Sequence, residues 1–91
     1  MKLFKSIDDK FLEIGFDKII ETKYGVSYER INNKYNYMQK IDIIYKRNGE
    51  YIAKSYDATN SNSQYSPVVG VNKYEMKLIL QKIKKMKLHN E

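Results

Sequence analysis

The residues able to do chemistry are few, and their spacing argues against catalysis. His89 is the single histidine of the 91-residue chain, it lies close to the last residue, and there is no cysteine. Nucleophilic catalysis needs a hydroxyl or thiol held beside a base, and no such pairing can be assembled without that tail imidazole. Paired carboxylates would serve for acid–base work, but Asp8 and Asp9 are consecutive in a helical pattern and so point in different directions. They read as first-turn acids that favour the positive end of a helix. The four scattered glycines form neither a phosphate loop nor a dinucleotide motif. No run of alternating acids and glycine suits a hard cation. The expectation is a protein without catalytic residues, cofactor or metal.

What remains is surface chemistry. Residues 72–91 carry six lysines against two glutamates, which is +4 of the chain's +6. A helix with Lys73, Lys77, Lys84 and Lys85 on its outer side can lie along a phosphate backbone or grip an acidic protein surface. The bland reading of the same lysines is a solvated face on a lysine-rich protein. Arginine, which reads bases and clasps phosphates in two-pronged fashion, occurs only as Arg30 and Arg47. Any nucleic-acid contact is therefore expected to be electrostatic and poor in sequence information. The nine tyrosines divide between core and surface. Tyr28, Tyr45 and Tyr56 are expected inside, Tyr51 on the opposite face as a contact residue, and Tyr24, Tyr35 and Tyr65 at turns or in a loop. Exposed tyrosines among lysines stack on bases or anchor interfaces. The Lys, Asn, Ile and Tyr bias also fits AT-rich codons.

Length and composition bound the scaffold. Ninety-one residues, 42% hydrophobic and 31% charged, suit one globular domain with a modest core. The apolar residues of Met1–Lys5 are interrupted by charge, unlike a signal peptide, and no stretch is long enough to span a bilayer. A cytoplasmic protein is expected.

The positioning elements read as helix, strands, helix. Leu3, Phe4, Ile7, Phe11 and Ile14 make an apolar stripe over a helix at about 2–14, with Ser6 and Asp9 available as a cap and Gly15 as its stop. Strands follow at 18–23 and 26–31, joined by a three-residue loop of Lys23, Tyr24 and Gly25 that sets Thr22 opposite Val26 and Ile20 opposite Tyr28. Asn32-Asn33-Lys34 turns into a long strand, with Tyr28 beside Ile41 and Val26 beside Ile43. Asn48-Gly49 predicts a two-residue hairpin turn. That turn sets Arg47 against Glu50, Tyr45 opposite Ile52, Ile43 opposite Lys54 and Ile41 opposite Tyr56. Residues 57–66 form a polar loop, and Val68, Val69 and Val71 a short edge strand after Pro67. Asn72 and Glu75 resemble a capping box opening a helix whose stripe is Met76, Ile79, Leu80, Ile83 and Met86, with Lys82 among the outward lysines and 88–91 fraying. The fold class is α+β: four or five antiparallel strands in a meander, with both helices on one face.

Two resemblances add expectations. The element order, with Gly70-Val71-Asn72-Lys73 leading into a helix carrying Lys73 and Lys77, looks like a double-stranded-RNA-binding domain, which implies phosphate contacts by those lysines. Over nearly the whole chain, Phe11-Leu12-Glu13-Ile14-Gly15-Phe16, Tyr24 to Arg30, Tyr74 to Leu78 and Lys84 to Lys87 are similar to small accessory proteins of Gram-positive phages and prophages. That resemblance implies a non-enzymatic protein acting by stoichiometric binding, with inhibition of a host defence nuclease, as anti-CRISPR proteins do, as its expected role. The partner is then an acidic protein surface or a nucleic acid; self-association, through the 68–71 edge, is a further reading.

Overall fold

Two capping boxes set the ends of both helices. In the first, the Ser6 hydroxyl accepts from the Asp9 N–H at 3.1 Å while the Asp9 carboxylate accepts from the Ser6 N–H at 3.3 Å. Helix α1 (Ile7–Glu13) follows and stops at Gly15, whose φ of +96° is left-handed backbone that suits glycine. Its start lies later than the expected residue 2. The computed structural model describes residues 5–59 and 67–90, so Leu3 and Phe4 fall outside the described residues. In the second box, Glu75 N–H donates to Asn72 Oδ1 at 2.8 Å and Asn72 N–H to Glu75 Oε1 at 3.0 Å, opening α2 (Lys73–Asn90). That helix runs on through residues 88–90, where fraying is expected from the sequence.

Between the helices lie β1 (Asp17–Thr22), β2 (Gly25–Asn32), β3 (Tyr37–Tyr45) and β4 (Tyr51–Asp57) in an antiparallel meander of order β1-β2-β3-β4. The central register is the expected one, with Val26 opposite Ile43 and Tyr28 opposite Ile41. A fifth strand is not formed among the described residues. Val68 makes a single bridge to Tyr56, with Val69 N–H on Ser55 O and Asp57 N–H on Pro67 O. Pro67 has no N–H to return the second bond, which limits the pairing. Most of the polar 57–66 loop lies outside the described residues.

Both outer hairpins depart by one residue from the expected register. Asn48-Gly49 does turn the chain, but the loop is Arg47, Asn48 and Gly49, closed by Lys46 N–H to Glu50 O at 2.8 Å. Only Gly49 is left-handed, at φ +88°. Ile43 therefore faces Ala53, Ile41 faces Ser55 and Tyr45 faces Tyr51. A slip of one residue exchanges the faces of a whole strand. Here it carries Lys54 away from Ile43 and sets it opposite Asp42, on the uncovered face. It also moves Ile52 and Tyr56 out of the core face and brings Tyr51 in. In the first hairpin the loop is Lys23-Tyr24, so Thr22 faces Gly25 and Ile20 faces Ser27, not Tyr28. A bulge at Ile19 then shifts the register once more and sets Lys18 opposite Tyr28.

The core sits between the helices and one face of the sheet. Phe11 stacks on Tyr28 at 4.0 Å between ring centroids and meets Phe16 edge-on at 5.9 Å. Val26, Ile41 and Ile43 from the sheet and Leu78, Ile79 and Met86 from α2 complete it. Both helices thus shelter the same sheet face, as expected. The buried stripe of α2, however, is Glu75, Leu78, Ile79, Lys82 and Met86, while Met76 and Leu80 lie outside. The helix is rotated because its two polar inward residues find charged partners, which repays their burial.

Candidate binding face on helix α2

Lysines fall into two populations on α2, and the difference is geometric. Lys82 is only 4% exposed and points inward. Its Nζ lies 2.9 Å from Glu21 Oε2 and 3.2 Å from Asp8 Oδ1, while Lys18 Nζ spans the same two carboxylates at 2.8 and 2.9 Å. The Tyr28 hydroxyl donates to Asp8 Oδ1 at 2.6 Å. Two cations and two anions form a closed ring at the β1 side of the core. The bulge at Ile19 makes this possible, because it brings Lys18 and Glu21, three residues apart, to one face. Sequence alone places Asp8 as a simple first-turn acid and Lys82 on the outer face; the ring overturns the second reading and enlarges the first.

The ring perturbs its members in a consistent sense. Burial by itself raises the Asp8 carboxyl, but the hydrogen bonds from Tyr28, Lys18 and Lys82 outweigh it and hold the group at about 2. Burial likewise opposes, and the same lysines produce, a lowering of Glu21. Bonds to Glu21 and Asp8 raise Lys18, and burial followed by the Asp8 bond raises Tyr28. For a carboxylate lowered in the folded state, the stabilisation is complete above its unfolded pKa and disappears as pH falls through the folded one. Chemical denaturation at stepped pH is therefore expected to show Asp8's share, about 1–2 kcal/mol after solvent screening, lost between roughly pH 5 and pH 2. Asp8→Asn should flatten that part of the profile.

A second inward network holds the other end of α2. Arg30 donates to Glu75 Oε2 at 2.9 Å, Gln39 Oε1 at 2.8 Å and the Ile14 carbonyl at 3.1 Å, and lies 4.2 Å over the Phe16 ring. Gln39 passes the chain on to Ser55 Oγ at 2.9 Å. On the uncovered sheet face, Asp42 accepts from Ser27 and Tyr56 hydroxyls, both at 2.6 Å. Burial, then that bond, pushes the Tyr56 phenol up to about 12.

The outward population builds the candidate site. Lys73, Lys77 and Lys84, with Tyr74, Met76, Leu80 and Gln81, line a groove of about 800 Å³ along α2. Met76 and Leu80, two of its lining residues, are 47% and 66% exposed. The groove runs on toward β4, where Met76 and Leu80 meet Val71, Ala53, Lys54 and Ser55. Of the residues expected as contacts, Lys73, Lys77 and Lys84 come together here. Lys85 is exposed on the same helix but does not line the groove. Tyr51 does not belong: the corrected register packs it against the core, 4.9 Å from the Tyr45 ring. Met76 and Leu80, read from the sequence as core, are the site's unanticipated members. Their displacement has a signal in the chain, since Glu75, Leu78/Ile79, Lys82 and Met86 recur at helical spacing one step round from the apolar stripe. No protein-family model, no curated protein and no solved structure matches the chain.

Proposed function

We propose that the chain is a non-catalytic accessory protein of the phage or mobile-element kind, acting by stoichiometric binding in the host cytoplasm. Its partner is an acidic protein surface, with a host defence nuclease as the target class. The observation that carries this reading is the row of Lys73, Lys77 and Lys84 beside exposed Met76 and Leu80. A phosphate backbone gains from the lysines alone and gives nothing to cover the methionine and leucine. A protein partner with acids around an apolar patch satisfies both, and desolvated apolar centres within a polar rim are where interface energy concentrates. In support of binding over catalysis, Asp8 and Glu21 are tied up in ion pairs and Asp42 in hydroxyl bonds.

The test titrates the chain into a CRISPR nuclease cleavage assay and, separately, into duplex RNA, duplex DNA and single strands across a salt series. Inhibition that saturates at a fixed molar ratio is expected. Lys77→Glu with Lys84→Glu should weaken it at least about tenfold, close to 1.4 kcal/mol. Met76→Ser with Leu80→Ser, which keeps every positive charge, should weaken it comparably. Nucleic-acid binding that falls steeply with salt and ignores the Met76 and Leu80 changes would favour the alternative, an RNA- or DNA-binding module using the same lysines.

A further inference from the structure

The opposite edge of the sheet carries a different surface. Strand β1 is exposed along its whole length, and no further strand lies beyond it among the described residues. Ile19 and Ile20 are 49% and 57% exposed there, with Leu12 of α1 also exposed. An open edge presents a row of unpaired backbone groups, and an apolar edge invites a partner strand. The sequence of the edge limits what that partner is. Laid antiparallel on itself about an axis between Ile19 and Ile20, the strand sets Lys18 opposite Glu21 and Ile19 opposite Ile20. Charge and apolarity both match in that register and in no neighbouring one.

The bulge at Ile19 gives the match its geometry. In a regular strand, residues three apart lie on opposite faces. Here Lys18 and Glu21 share the helix-covered face, joined through the ring with Asp8 and Lys82. Two such edges brought together would place each Lys18 beside the partner's Glu21 on one common face.

We propose that the protein forms a two-fold homodimer through β1, joining two four-stranded sheets into one of eight strands with all helices on the same side. The lysine-rich groove does not oppose this. Lys82 faces β1, whereas Met76 and Leu80 line the side toward Ala53 and Lys54 of β4. Each dimer therefore presents two open grooves, far from the axis.

Sedimentation velocity and light scattering on the full chain, from micromolar to millimolar, test this. A mass of two chains at the upper concentrations is expected. Ile20→Lys should shift the species to one chain at every concentration, with an unchanged far-UV circular dichroism spectrum. Ile31→Lys, at an equally exposed site on β2, should leave the dimer intact. The unaltered chain supplies a second readout: amide exchange within Asp17–Thr22 should slow as concentration rises, while the exposed face of α2 stays unaffected. A single-chain mass throughout, or dissociation by Ile31→Lys as readily as by Ile20→Lys, would overturn the proposal. So would exchange in β1 that is independent of concentration. None of these readouts depends on the partner of the groove.

Discussion

Glu75→Ala is expected to destabilise the protein by about 3–5 kcal/mol, the range for removing one partner of a buried ion pair. Its side chain is 3% exposed and serves two ends at once. One oxygen receives Arg30 at 2.9 Å, and the other receives the Asn72 N–H at 3.0 Å. Deleting the carboxylate strands the guanidinium, which keeps Gln39 and the Ile14 carbonyl but loses its counter-charge. It also breaks half of the capping box, adding part of the ~1 kcal/mol that a helix cap contributes. A domain of this size shifts its Tm by roughly 4–8 °C per kcal/mol, so a fall of roughly 15 °C or more should be plain in calorimetry. Arg30→Met combined with Glu75→Leu should be milder than Glu75→Ala, because no charge is then left unpaired. A loss below about 1 kcal/mol for Glu75→Ala would mean that the Arg30 contact adds nothing to the cap.

Lys82→Ala should separate one lysine from its neighbours. Removing it leaves Asp8 and Glu21 sharing Lys18 alone, at a site where Lys82 is nearly enclosed. The expected cost is about 3 kcal/mol, with partial unfolding at acid pH arriving earlier. Lys77→Ala and Lys84→Ala, on the exposed groove, should change stability by no more than about 0.5 kcal/mol. Urea denaturation of the three variants makes the comparison directly. Equal effects would contradict the division of α2 into an inward lysine and outward ones. The same comparison protects the binding test, since only outward substitutions leave the fold intact.

The three strand-to-strand registers illustrate what a sequence can and cannot carry. The β2–β3 register is legible because Val26 with Tyr28 and Ile41 with Ile43 stand at alternate positions, and a slip of one residue would turn one pair away from the core. The N-terminal cap residues of both helices are legible too, since a capping box is a local exchange of hydrogen bonds between residues three apart. The two tight hairpins are not. Asn48-Gly49 suits both a two-residue loop and the observed three-residue one, which differ by one step and reverse every side chain of β4. The choice falls to groups outside the loop: the observed register lets Gln39 reach Ser55 and the Tyr56 hydroxyl reach Asp42.

The chain by itself determined the α+β class, the meander order, the helix caps and a lysine-rich outer helix face. Those depend on local propensity and on periodicity, which are written in consecutive residues. Tertiary structure alone decided which way α2 is turned. Glu75 and Lys82 are polar, so hydropathy assigns them to solvent; they are inside because Arg30, 45 residues away in sequence, and Asp8, 74 residues away, bring opposite charges to them. Turning those two inward turns Met76 and Leu80 outward, and that rotation creates the candidate binding groove. Long-range charge pairing, invisible to any local pattern, therefore placed the surface on which the proposed function rests.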